Sequence, residues 1–172
     1  LKKHTDRDLD AWSQAWLRTW GPDTLTPELH TEGEKIAELA ILAEAEDVTR
    51  PHRLTASLFD ASLHKYREID IDLPVGDDTT RTIIDEAAGL PAPALQLLND
   101  ADHTYAKIRF DEQSLEFLLE NIDKFTESLP RALCWGAAWD MTRDGEMRAR
   151  DYVALVLRGM TATNGRPSSR AK

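Results

Sequence analysis

Cysteine is almost absent from this sequence of 172 residues, which contains Cys134 alone. A single cysteine can form neither an internal disulfide bond nor a zinc site built from several thiolates. Cys134 lies between Leu133 and Trp135 in an apolar stretch. We therefore interpret it as a small core residue rather than a nucleophile.

Long apolar runs and an excess of positive charge are also missing. The longest apolar stretches have about ten residues and contain glutamates, whereas a membrane span needs roughly 20 apolar residues. The 21 Lys and Arg are outnumbered by 31 Asp and Glu, which gives a net charge of -10. This balance argues against nucleic acid and anionic membranes as partners, because phosphate groups are bound by clustered Lys and Arg. It indicates a cytoplasmic protein, or a surface that tolerates cationic ligands.

The common catalytic motifs do not occur in the sequence. No histidine stands in a His-Glu-x-x-His arrangement, which would place two imidazoles on one helical face around zinc. The eight glycines form no phosphate-binding loop, and there is no Gly-x-Ser-x-Gly elbow. We therefore predict no catalytic, cofactor-binding or metal-binding residue in this chain. A metal site assembled from distant histidines stays open as the alternative, and its candidates are His4, His30, His52, His64 and His103.

A helix is predicted over residues 6–19, where apolar residues recur at helical spacing and Asp6 or Asp8 can cap the first turn. A Gly-Pro pair follows and ends it. Trp12 and Trp16 are four residues apart and share one face of this helix, and Trp20 follows directly after it. We expect the helix to pack on a larger body through these tryptophans. An aromatic platform for a ligand is the alternative.

Residues 24–110 consist of short runs between turn signals, which is typical of strands. The clearest run is Ile69–Leu73, a strict alternation of apolar and acidic residues that buries one face of a sheet. Strands at this spacing predict an antiparallel β-sandwich. The other strands are predicted in "TLTPELH", "LTASLFD", "RTII", "PAPALQLL" and "YAKIRFD".

One segment carries two conflicting signals. Residues 33–47, "GEKIAELAILAEAED", are rich in Ala, Leu and Glu, which favour a helix by propensity. The same residues also alternate, with Leu39, Ile41 and Ala43 on one side. From the residues alone, helix is the preferred interpretation.

The stretch "LLNDADHTYAKIRFDE" (97–112) concentrates carboxylates, cations and an imidazole. A calcium loop starting at Asp100 would need glycine at its sixth position, where Tyr105 stands. We instead interpret the Asn and Asp residues as a turn that closes a hairpin between two strands. Asp111 is then predicted to cap the helix that follows.

From residue 112 the apolar period becomes helical, and three helices are predicted in "EQSLEFLLENI", "SLPRALCWGAAWDMTRD" and "GEMRARDYVALVLRGM". Residues 139–151 crowd charges of both signs around Gly145 and are interpreted as a solvated loop between two helices. The polar tail 161–172 is expected to be poorly ordered or the point where a longer chain is truncated. The fold class predicted is α+β: an N-terminal helix, an antiparallel β-sandwich and C-terminal α-helices.

Four motifs in order, "DRDLDAWSQAWLRTWG", "RPHRLTASLFD", "LQLLNDADHTYAKIRFDEQSL" and "RALCWGAAWDMTRDGEMRARDYVALVLRG", resemble the aminopeptidase N family of zinc metallopeptidases in its actinobacterial form. The resemblance covers about residues 5–160. It implies that residue segment 35–45 is a sandwich strand, and we adopt strand there against the local composition. It also implies that the zinc motif lies before this region, so no catalytic or zinc-binding residue is carried over.

The resemblance implies three parts. Residues 1–21 would be the terminal helix of a catalytic domain that is otherwise missing, 22–108 the β-sandwich domain, and 109–172 the first helices of the C-terminal helical domain with a polar tail. The chain begins with Leu1 rather than Met, and we expect it to be part of a longer polypeptide.

Under this interpretation, the intact parent would be a zinc-dependent aminopeptidase that removes N-terminal residues from peptides. The present chain would be its scaffold and part of the wall of its substrate chamber, inactive and without zinc when isolated. The partners expected are the catalytic domain, packed against the three tryptophans of the first helix, and peptide substrates in the intact enzyme. The cut surfaces are expected to make the isolated chain self-associate. A stand-alone β-sandwich module for protein interaction is the alternative.

Overall fold

A computed structural model describes residues 9–164 of the chain, with side chains at residue 10 and at residues 12–160. The fold is α+β, as predicted: a short helix, two β-sheets rich in antiparallel pairs, and C-terminal helices. The elements in chain order are α1 (Leu9–Leu17), β1 (Thr24–Glu32), β2 (Lys35–Glu44), β3 (His52–Phe59), β4 (Lys65–Leu73), β5 (Thr79–Ile83), β6 (Leu95–Leu98), β7 (Lys107–Ile108), α2 (Glu112–Asn121), α3 (Ser128–Arg143) and α4 (Ala149–Asn164), with 3-10 turns at Asp85–Ala87 and Ile122–Lys124.

The strands form a four-stranded sheet in the order β5-β2-β1-β7 and a three-stranded sheet in the order β4-β3-β6. The pairing of β1 with β7 is parallel, and the other strand pairs are antiparallel. Both sheets contribute apolar side chains to one hydrophobic cluster. Burial of that cluster is the main force that holds the two layers together. Its fully buried members include Leu25, Leu39, Ile41, Leu54, Leu58 and Ile69.

The segment with conflicting signals is a strand, which confirms the choice made from the resemblance. β2 lies in the interior of its sheet, between β1 and β5, so both of its edges are paired. Its register with β1 skips Ala37, since Glu38 pairs with His30 and Ile36 with Thr31. This bulge lets Ile36 and Leu39 both point into the core although they are three residues apart. Pairing on two sides outweighs the helical propensity of the Ala, Leu and Glu residues.

The predicted hairpin around residues 99–104 is wrong. β6 pairs with β3 in the three-stranded sheet, whereas β7 pairs with β1 in the other sheet. The turn between them therefore carries the chain across the sandwich from one layer to the other. We call residues 99–104 the crossing turn.

The C-terminal helices pack against the part of the sandwich that contains β6 and β7. Leu118 and Ile122 join the same hydrophobic cluster as the sheets, and the ring of Phe125 meets Phe59 edge-on at 5.5 Å. Cys134 is fully buried, as predicted for a core residue, and burial raises the pKa of its thiol. None of the helices between residues 9 and 164 has the length and apolar content needed to cross a membrane.

One boundary at the C-terminal end differs from the prediction. α4 continues through Asn164, so the first four residues of the predicted polar tail are helical. The rest of the tail, from residue 165, lies outside the described residues, as do Asp6 and Asp8, the predicted caps of α1.

Two glycines inside helices provide a matched test of the packing between α3 and α4. A Cβ atom at Gly159 would lie 2.6 Å from the ring of Trp135, whereas one at Gly136 would meet nothing within 4 Å. Gly159→Ala should lower the free energy of unfolding by about 1–2 kcal/mol, because the overlap outweighs the gain in helix propensity. Gly136→Ala should raise it by about 0.5–1 kcal/mol. Urea denaturation measures both, and changes of the same sign would contradict this packing.

Candidate functional site

The most unusual feature of the molecule is a buried polar cluster where α1 meets the sandwich. It consists of Asp23, Arg50, His52 and Thr104, and the first three are at most 4% exposed. Charged groups are rarely buried unless they are paired and hydrogen-bonded, because leaving water costs several kcal/mol per ion. The polar groups of the cluster therefore need hydrogen-bond partners, and each of the four residues has at least one.

Arg50 holds the C-terminal end of α1. Its Nε donates to the carbonyl oxygen of Ala15 at 2.9 Å, and Nη2 donates to the carbonyl oxygen of Trp20 at 3.3 Å and to the hydroxyl of Thr19. The last carbonyls of a helix lack partners within the helix and carry partial negative charge. The guanidinium satisfies one carbonyl in the last turn of α1 and one just beyond the helix, and it places a positive charge where the helix dipole favours one.

Asp23 neutralises the guanidinium from the other side. Its Oδ1 accepts from Nη1 of Arg50, and its Oδ2 accepts from the backbone N–H of Arg50 at 2.6 Å. Oδ2 also lies 3.0 Å from Nε2 of His52, whose Nδ1 lies 2.7 Å from the hydroxyl of Thr104. With the imidazole proton on Nε2, His52 donates to the carboxylate and accepts from Thr104. The cluster thus joins α1, β1, β3 and the crossing turn.

The hydrogen bonds set the protonation of Asp23. Burial by itself would raise the pKa of the Asp23 carboxyl, but the hydrogen bonds from His52 and from the Arg50 amide, with the charges beside it, lower that pKa below its ordinary value. Asp23 is therefore the anionic partner of the buried guanidinium.

The three tryptophans of the first helix segment have different surroundings. Trp16 packs edge-on against His52 at 5.3 Å and lies under the guanidinium of Arg50. Trp12 and Trp20 are 49% and 84% exposed. Trp12 and Trp16 form one wall of an open groove of about 550 Å³, and His103 and Tyr105 belong to its lining as well. This groove is compatible with the alternative prediction, an aromatic platform for a ligand.

The crossing turn is built as the sequence predicted, by an asparagine that bonds to its neighbouring backbone. Oδ1 of Asn99 accepts from the amides of His103 and Thr104, and its Nδ2 donates to the carbonyl oxygen of Thr104. Asn99 and Asp102 both adopt positive φ angles, which Asn and Asp tolerate better than most residues. The turn therefore presents Thr104 to His52.

Asp100 in the same turn is a second buried carboxylate. Its Oδ2 accepts from the hydroxyl of Ser57 at 2.7 Å and lies 2.6 Å from Nζ of Lys65. Burial lowers the pKa of the Lys65 ammonium, but the bonds to Asp100 and Glu68 outweigh it and leave that pKa above its ordinary value. Asp100, the first position of the rejected calcium loop, thus fastens the turn to β3 and β4.

Asp111 caps α2, which confirms that prediction. Its Oδ1 accepts from the backbone N–H of Ser114 at 2.6 Å. Its Oδ2 accepts from the side-chain amide of Gln96 in β6. The cap therefore also joins the helix to the three-stranded sheet.

The predicted solvated loop around Gly145 is instead fastened to the sandwich. Asp144 Oδ2 accepts from Lys107 at 2.7 Å and from the buried Arg109 at 2.6 Å, and Nε of Arg109 lies 2.7 Å from Glu146. Hydrogen bonds from Lys107 and Arg109 lower the pKa of the Asp144 carboxyl. Lys107 in β7 and Arg109 just after it thus hold the turn between α3 and α4. These long-range partners were not evident from the alternating charges in the sequence.

The described residues contain no group of three or more His, Cys, Asp or Glu side chains placed to hold a metal ion. Both ring nitrogens of His52 are hydrogen-bonded, one to Asp23 and one to Thr104. His30, His64 and His103 are exposed. His4 lies outside the described residues.

After β6, the chain runs through the crossing turn and β7 into the C-terminal helices. Residues 95–169 match the family described as ERAP1-like C-terminal domain. This match begins in β6 and includes the crossing turn and all three C-terminal helices.

Across nearly its whole length, the chain is similar to aminopeptidase N of Streptomyces lividans, with 43% identity over 93% of the chain. The chain spans about one fifth (20%) of the length of that relative. These two matches confirm the resemblance to the aminopeptidase N family predicted from the four motifs.

The lowered pKa of Asp23 gives stability a dependence on acid. An aspartate with a pKa below its unfolded value of 3.8 stabilises the folded chain at pH values above that value, and this contribution is lost as the pH falls through the lowered pKa. We expect the difference in unfolding free energy between the wild type and Asp23→Asn to be constant near neutral pH and to shrink below about pH 4. Urea titrations from neutral to acid pH measure it, and a difference that stays constant throughout would contradict the assignment.

Proposed function

We propose that this chain is the non-catalytic middle of a zinc-dependent aminopeptidase resembling aminopeptidase N. Residues 1–21 are then the terminal helix of the catalytic domain, 22–108 the β-sandwich domain, and 109–172 the first helices of the C-terminal helical domain. The parent enzyme removes N-terminal residues from peptides in the cytoplasm. This part serves as scaffold and as part of the wall around the substrate.

The observation that carries the proposal is an α4 helix that is apolar on two sides. Leu155 faces the core and is fully buried, whereas Val153, Leu157 and Met160 are 54%, 61% and 53% exposed. These three recur at i, i+4 and i+7 and share one face. A helix that is apolar on opposite faces is suited to the interior of a larger helical body. The exposed stripe therefore supports further helices packed outside α4.

The segment that contains α1 also has exposed apolar side chains. Trp12 and Trp20 are exposed, as is Leu17, although this short helix segment is firmly held by Arg50. Exposed apolar side chains of this size, on and just after a helix that is held in place, support a catalytic domain packed against them. The same two surfaces support self-association of the isolated chain.

Zinc in the parent enzyme would polarise the scissile carbonyl and activate water. The residues described here do not fit such a site, because no three ligand side chains converge. We therefore assign the zinc ligands and the general base to a part of the parent polypeptide other than residues 9–164.

A stand-alone interaction module remains the second candidate, and the open groove beside Trp12 and Trp16 favours it. The two candidates differ in the flanking coding sequence. An upstream His-Glu-x-x-His in the same reading frame supports the enzyme, whereas a start codon before Leu1 and a stop codon after Lys172 support the module.

The proposal predicts that the purified 172-residue chain neither retains zinc nor hydrolyses aminoacyl arylamides, and that the full reading frame does both. Zinc content by atomic emission and release of the arylamine measure this, with the full-length protein lacking its His-Glu-x-x-His histidines as the control. Robust metal-dependent turnover by the 172-residue chain would overturn the proposed role. So would a full reading frame without activity.

A further inference from the structure

Two strand edges are open on one side of the sandwich. β4 ends the order of the three-stranded sheet and β5 ends that of the four-stranded sheet, so neither has a strand partner on its outer side within the described residues. An edge strand leaves every second N–H and C=O unpaired and can accept an added strand. β4 is the longer edge, with nine residues against five.

A cleft of about 230 Å³ lies between these two edges. Its lining includes Ile69 and Ile71 from β4 and Ile84 after β5, all buried, together with Ile83, which is 50% exposed. An apolar lining beside unpaired backbone groups offers both hydrogen bonds and hydrophobic contact to an extended chain.

The charge around the cleft has a single sign. Asp70 and Asp72 on β4 and Asp85 and Glu86 in the 3-10 turn line it, and no Lys or Arg does. Arg53 approaches Asp72 only to 3.9 Å, and both side chains are largely exposed, so this pair neutralises little of the charge. Asp70 accepts a hydrogen bond from Thr55, a neutral donor.

The alternation of apolar and acidic residues in β4 determines which side-chain pattern fits in an added strand. Ile69 and Ile71 point to the core side, and Asp70 and Asp72 point to the opposite face. A strand paired with β4 places its own side chains alternately beside these two sets. Cations in every second position would lie beside the carboxylates, and apolar residues between them would extend the isoleucine row.

We propose that the edge of β4 binds an extended segment of a partner protein in which Lys or Arg alternates with β-branched apolar residues, added to the sheet as a further strand. The inference is independent of the parent enzyme's activity. It rests on the open edges and the cleft, and the charge decides only which sequence fits.

The test is titration of the ¹⁵N-labelled 172-residue chain with the capped pentapeptide Lys-Val-Lys-Val-Lys. Amide shifts should concentrate at residues 68–73 and 82–86, and the Glu-Val-Glu-Val-Glu peptide should cause none. A peptide N-methylated on the amides facing β4 should bind at least about tenfold more weakly, because the added strand loses its backbone hydrogen bonds.

Two variants separate this edge from general attraction to an acidic protein. Asp70→Asn with Asp72→Asn, and separately Asp85→Asn with Glu86→Gln, should each weaken binding about three- to tenfold. The matched control, Glu116→Gln with Glu120→Gln, removes two exposed carboxylates on α2 and should leave binding unchanged. Shifts centred elsewhere, equal weakening by all three double variants, no effect of N-methylation or no binding at all would each overturn the proposal.

Discussion

The buried guanidinium of Arg50 is the constraint on which the arrangement of the N-terminal half depends. A charge with almost no contact with water is tolerable only if its donors are used, and Arg50 uses them on α1 and on Asp23. A helix of nine residues is too short to be stable by itself in water. Arg50 and the contact of Trp16 with His52 give α1 the tertiary partners that it needs.

The same network reaches the helical half through the crossing turn. His52 is bonded to Thr104, and Asn99 fixes the backbone on both sides of that residue. Directly after the turn, Lys107 and Arg109 bind Asp144 between α3 and α4. Polar contacts therefore lead in steps from α1 to the last helices, and together with the shared core they favour a fixed placement of the three parts. The proposed role as a scaffold would require such a placement.

The sequence predicted those elements whose pattern depends on residues close together in the chain. The alternation of Ile69–Leu73, the cap at Asp111 and the periodicity of the three C-terminal helices each involve residues a few positions apart. β2 needed the resemblance, because its pairing with β1 and β5 outweighs its own composition. Sheet assignment for β6 and β7 was predicted wrongly, since four buried residues and a two-residue strand carry no information about which layer each joins.

The polar cluster at Arg50 could not be predicted from the sequence, because its contacts join residues that are far apart along the chain. Arg50 meets Asp23, Ala15 and Thr19 over separations of 27 to 35 residues, and nothing in "TRPHR" marks its arginine as buried. The sequence has no common catalytic motif, and it carries no local signal for the polar residues that join the parts.

Hydrogen exchange of the α1 amides tests most directly whether Arg50 holds the helix to the sandwich. We expect these amides to be protected in the wild type and to exchange at nearly unprotected rates in Arg50→Met, while amides of β2 and β3 remain slow. Arg53→Met, at an exposed position three residues on, should leave α1 protected. Unprotected α1 amides in the wild type, or equal protection in wild type and Arg50→Met, would contradict it.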